Sequence, residues 1–128
     1  MQFLNNEQII NMLFPLIVNN GEWEEHKKDN TDYIENIYFT LGEIARYVLG
    51  AIQNNDTNNL KKIFDSIELV FIMGDKVSQE KISTGLIEPL QNNMLNSNIE
   101  LSSIDNYLNP QTKQVWGEII SGWNPENK

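Results

Sequence analysis

The sequence contains no cysteine and one histidine, His26. The first absence excludes disulfides, thiolate metal sites and sulfur nucleophiles, and it suits a reducing compartment. The second excludes any site needing two imidazoles. A catalytic triad would have to be built on His26, which sits in a polar stretch beside Lys27 and Lys28. Glycine-rich phosphate loops are missing as well: the seven glycines are scattered, and neither GxGxxG nor GxxxxGK occurs. No carboxylate stands in a Glu-x-x-His iron spacing. No run approaches about 18 uninterrupted apolar residues. The N-terminal stretch lacks the basic leader of a secretory signal, and its apolar part is interrupted by Asn11 and Pro15. These absences predict a cytoplasmic protein with no catalytic, cofactor-binding or metal-binding residues, neither an enzyme nor a membrane protein.

Basic residues are scarce too. Eighteen acidic side chains face nine basic ones, a formal net charge of -9. A nucleic-acid partner is disfavoured, because a polyanion is held by clusters of Lys and Arg that release its counterions. A basic partner suits the balance better, although an acidic surplus also serves solubility alone. At 128 residues the chain forms one domain and can bury roughly two-thirds of its unfolded surface.

What the sequence does have is helical periodicity. From Thr31 to Asn54, Tyr33, Ile34, Ile37, Tyr38, Leu41, Ile44, Ala45, Val48, Leu49 and Ile52 recur at three- and four-residue intervals. From Asp56 to Met73 the pattern restarts with Leu60, Ile63, Phe64, Ile67, Val70 and Phe71. Two antiparallel core helices are expected, the first capped by Thr31 or Asp32. Gly42 within it signals either a close helix contact or a break near Thr40. An earlier helix opens near Asn5 or Asn6 and carries Ile9, Ile10, Leu13 and Phe14, with Pro15 bending or ending it. Val77, Ile82, Leu86, Ile87, Leu90 and Met94 line another helix, kinked at Pro89. Ser102 or Ser103 begins a short turn. Asn109-Pro110 starts the last helix, Asn as cap and Pro at the first position. Residues 124–128 form a tail. With no alternating strand pattern, the expected fold is an all-α bundle of about five or six helices.

Residues 19–32 are the longest polar stretch, expected to be a long acidic loop. They place Glu22, Glu24, Glu25, Asp29 and Asp32 around Trp23. Trp23 either anchors in a partner's pocket, as tryptophan does at interface hot spots, or folds back onto the core. Three charges lie in apolar surroundings: Arg46, Glu68 and Glu88. Desolvation would force them to pair if all point inward, giving a structural clamp of Arg46 with Glu68 and Glu88 nearby. The competing pair is Glu43 with Arg46, three apart on one helix.

Four blocks, LGEIARYV (Leu41 to Val48), FDSIE (Phe64 to Glu68), STGLIEPLQN (Ser83 to Asn92) and YLNPQTKQVWGEI (Tyr107 to Ile119), resemble a family of small acidic helical bacterial proteins. Asn109 stands where the pattern more often has Gly. The chain is also similar to immunity proteins of contact-dependent growth inhibition and related polymorphic toxin systems. That resemblance implies a cytoplasmic inhibitor that occludes a basic toxin domain, often a nuclease. Glu22, Trp23, Glu24, Glu25, Asp29 and Asp32 would be the toxin-binding surface. The rival expectation is a helical adaptor or regulator that takes a peptide or helix on exposed members of the Trp116, Ile120, Trp123 face. Either protein would be a monomer or a weak homodimer.

Overall fold

A computed structural model describes residues 4–17, 20–29 and 31–123, and the side chains of 4–13, 24–29 and 31–122. Helix α1 (Asn6–Ile17) starts from a reciprocal cap. Asn5 Oδ1 accepts from the Gln8 amide at 2.8 Å, and Gln8 Oε1 accepts from the Asn5 amide at 2.9 Å, so two donors left over at the helix start find partners. Ile9, Ile10 and Leu13 then form a fully buried stripe. The helix runs through Pro15 to Ile17, so proline does not end it there. The Phe14 side chain and residues 124–128 lie outside the described residues.

Helix α2 (Asn20–Asp29) occupies most of the stretch expected to be a loop. Helix α3 (Ile37–Gln53) starts later than Thr31 or Asp32, after turns over 31–35, with Asn36 at its cap position. Helix α4 (Thr57–Met73) follows after a three-residue link and is capped by Asp56, whose Oδ1 accepts from the Asn59 amide. So short a link leaves α3 and α4 antiparallel neighbours. The core predicted for this pair is present: Leu41, Ile44, Ala45 and Val48 from α3 meet Phe64, Ile67 and Val70 from α4, all inaccessible to solvent. Helix α1 packs against both.

One continuous helical run covers α5 (Lys76–Ile82), a π-helical turn (Ser83–Ile87) and α6 (Glu88–Asn96). In the π turn the Glu88 amide donates to the Ser83 carbonyl, five residues back. Pro89, next in the chain, has no amide to give to Gly85, and the wider turn lets the chain pass this gap with αR backbone at both ends. Close approach to α3 occurs here and not at Gly42. A Cβ on Gly85 would lie 2.7 Å from Leu41 Cδ1 and 3.1 Å from Leu41 Cβ, whereas one on Gly42 would meet nothing within 4 Å. Gly42 neither breaks α3 nor serves a contact.

A 3₁₀ helix (Leu101–Tyr107) leads to α7 (Pro110–Trp123), which lies on α4. Among the described residues every regular element is helical, and the protein is an all-α bundle.

The expected clamp does not form. Glu68 is buried, yet its partners are on α7: Oε2 accepts from the Gln111 amide at 3.0 Å, and Oε1 from the Thr112 amide and hydroxyl at 2.9 Å each. The carboxylate thus caps α7 from a neighbouring helix, where exposed amides favour negative charge. Asn109 does not supply that cap. Its side-chain amide donates to the Phe64 carbonyl and to Asp65 on α4. Arg46 bonds Glu43 at 2.7 Å and lies over the Tyr47 ring, its side chain 65% exposed. Glu88, half-buried at the start of α6, joins neither of them. Sequence periodicity identified the buried acid but assigned it an arginine, where backbone amides do the work.

Candidate functional site

Helix α2 carries Trp23 among nine other residues that are polar or glycine, so it has no apolar stripe by which to announce itself. Its charges explain it better. Glu22, Glu24 and Glu25 come early, and His26, Lys27 and Lys28 fall in the last turn, the order that complements a helix dipole. Glu24 and Lys27, three apart, meet at 2.8 Å.

The helix contacts α1, and His26 ties it to α3. Its ring stacks on Phe39 with centroids 6.2 Å apart, and Nε2 lies 3.4 Å from the Thr40 hydroxyl. Thr40 is fully buried and gives its proton to the Tyr33 carbonyl at 2.9 Å, so it can only accept from His26. The sole histidine therefore joins α2 to the start of α3, a positioning task consistent with its place in a polar stretch.

This docking brings α2 against the start of α3, and both carry exposed side chains. Glu24, Glu25 and Asp29 on α2 are exposed, as are Asp32 and Glu35 in the following turns. Tyr38 and Phe39 at the start of α3 are 51% and 48% exposed. From residue 19 to 36 the sequence carries six carboxylates against two lysines, a local net of -4 with His26 neutral. Of the expected partner-binding residues, Glu24, Glu25, Asp29 and Asp32 are exposed. The side chains of Glu22 and Trp23 lie outside the described residues.

Sequence reading missed Phe39 and put Tyr38 in the core. A signal for Phe39 was available. At about 100° per residue it falls on the side of α3 opposite Leu41 and Val48, where an aromatic ring has no core to enter. Tyr38 lies at the edge of the buried stripe, and periodicity alone does not say which way an edge residue turns.

A second exposed feature lies on α4, where Leu69, Ile72 and Met73 stand at helical spacing with Val77 of α5 beyond them, each between 37% and 55% exposed. The face suggested for a peptide partner differs from expectation. Trp116 is buried, its carbonyl accepting from Gln91 at 3.2 Å, while Ile120 is exposed and the Trp123 side chain lies outside the described residues. No group of carboxylates and histidine among the described residues could hold a metal ion, and none of their helices is long and apolar enough to cross a membrane.

Fold and surface together define a small all-helical protein with exposed acids on α2 and exposed aromatic rings at the start of α3. Residues 14–124 match the family model described as Domain of unknown function (DUF7674), and the chain belongs to that family. No curated protein and no solved structure matches it.

Proposed function

We propose that this protein is an immunity-type inhibitor that binds a basic toxin domain, of nuclease class by the resemblance described above, in the cytoplasm. It acts by binding and not by catalysis. The observations that support the reading are the exposed acids Glu24, Glu25 and Asp29 on α2 and the exposed rings Tyr38 and Phe39 at the start of α3, to which His26 ties that helix. A nuclease site is basic because it must hold phosphate, so opposite charge steers the partners together and fixes their register. Exposed aromatic rings supply the anchors that charge alone does not.

The test is a pull-down of the tagged protein from its own strain with the neighbouring genes expressed. Recovery of one basic protein in near-equal amount, stable to moderate salt and lost when Glu24, Glu25 and Asp29 are changed to Lys, is the expected outcome. Recovery of partners that ignore this charge reversal would remove the acidic surface from the proposal.

A second reading, a helical adaptor for a peptide or partner helix, draws support from Leu69, Ile72 and Met73 on α4. Three apolar side chains at that spacing suit helix-on-helix docking. An Ile72→Glu change would abolish capture under this reading and leave it intact under the first.

A further inference from the structure

The far end of α3 carries a cleft that the acidic surface does not use. It opens where the C-terminus of α3, the first turn of α4, the loop after α6 and the 3₁₀ helix meet, nearly the full length of α3 away from Tyr38 and Phe39. Its volume of about 440 Å³ lies within the range of small-molecule sites.

Ile52, Leu60, Ile99 and Ile104 give it apolar walls. The polar lining consists of the Gln53 and Asn55 carboxamides and the Ser97, Ser103 and Tyr107 hydroxyls. None of these five side chains is hydrogen-bonded to another described residue. Two amides and three hydroxyls are thus uncommitted around an apolar floor. Gln53, Asn55, Ser97 and Ser103 are exposed at the mouth and Tyr107 is half-buried, so these groups face water that a ligand would displace.

Charge narrows the ligand further. No lining residue is ionisable at neutral pH, in a chain of net charge -9. An anion would meet an unfavourable field and no cation to pair with, and a cation would meet no carboxylate in the lining. In the two loops that border the cleft, Asn55 and Asn98 hold left-handed backbone at φ 52° and 59°, a conformation asparagine tolerates.

We propose that this cleft binds an uncharged small molecule with a flat ring body and amide-like edges, of nucleoside chemistry. A carboxamide presents a donor and an acceptor together, which matches the edge of a nucleobase. The apolar walls take the ring faces, and the hydroxyls take the hydroxyls of a neutral sugar. This site stands independently of the proposed inhibitor role.

Amide NMR shifts of the labelled full chain, titrated with adenosine and separately with its monophosphate, test it. Saturable shifts confined to residues 52–60 and 97–107, weaker with the monophosphate, are expected. Asn55→Gly keeps the left-handed turn while removing the carboxamide, and should weaken adenosine by about three- to tenfold. Ser103→Arg, at an exposed position, should fill the mouth and abolish the shifts in a protein whose circular dichroism is unchanged. No saturable shift with adenosine, equal or tighter binding of the monophosphate, or unaltered binding by both variants would each overturn the proposal.

Discussion

The Glu68 carboxylate holds Thr112 twice, accepting from its amide and its hydroxyl at 2.9 Å each, and so pins the start of α7 to the middle of α4. Replacing Glu68 by Ala leaves two amides and a hydroxyl without their buried acceptor. A loss of about 2–3 kcal/mol is expected in urea unfolding. Thr112→Val removes only the hydroxyl and should cost about 1 kcal/mol. Because both changes act on one contact, the double variant should lose less than the sum of the two. Strict additivity would show that the cap and the hydroxyl act separately.

Arg46 provides the contrast. Its ion pair with Glu43 is exposed and lies within one helix, so Arg46→Ala should change stability by no more than about 0.5 kcal/mol. A loss as large as that of Glu68→Ala would return Arg46 to the interior role that its position in the sequence suggested.

Asp75 gives the protein a dependence on acid. Its Oδ1 accepts from the Ser78 amide at 3.0 Å and lies 2.9 Å from the Ser78 hydroxyl, which also receives the Leu4 amide at 3.1 Å. The Ser78 amide first, and then its hydroxyl, hold the Asp75 carboxyl below its ordinary value of 3.8. A lowered carboxyl adds stability that is fully present above 3.8 and is lost as pH falls through the lower folded value. Melting temperature followed from neutral pH downwards should therefore fall more steeply in this window for the wild type than for Asp75→Asn. Parallel curves would exclude Asp75 as a source of acid sensitivity.

The glycines of α3 and the π turn should respond in opposite directions. Gly85→Ala places a methyl group against the buried Leu41 and should cost about 1–3 kcal/mol. Gly42→Ala has open space and a helix interior, and should stabilise by up to about 1 kcal/mol. Thermal unfolding of the two single variants decides it.

At the acidic surface, changing Glu24, Glu25 and Asp29 to Lys should leave the buried core intact, since all three are exposed. It should weaken α2, which loses its acid-before-base order and the Glu24–Lys27 pair, so circular dichroism accompanies the binding measurement. Association with a basic partner should slow by about tenfold or more, and its dependence on salt should flatten. Phe39→Ala should instead speed dissociation, because an anchor acts after encounter. It should also loosen α2, whose His26 ring it supports.

The all-α class and the buried faces of α1, α3, α4 and α6 were legible because each packs an apolar stripe at helical spacing, from Ile9 through Met94. Helix α2 was not, since its sequence shows charge order and a histidine that docks on α3 where the other helices show apolar periodicity. The acids of the candidate surface could be read from composition, but the rings beside them required knowing how α3 is rotated. Glu68 was recognisable as a buried charge from its neighbours. Its partner was hidden because the amides at the start of α7 belong to the backbone, which every sequence carries everywhere.

The π turn governs how the second half of its helical run is seated. Ser78, Ile82, Leu86, Leu90 and Met94 are all fully buried and stand exactly four residues apart. On a straight α-helix each such step advances about 40° around the axis, so Met94 would point some 160° away from Ser78. A turn closed over five residues underwinds the helix and removes much of that drift. Deleting Thr84, an exposed residue within the turn, would force a regular α-helical turn on Pro89, which has no amide to close it. It would also rotate Leu90 and Met94 by about 100° towards water. In this bundle, the length of one turn acts as a phase setting between two otherwise ordinary helices.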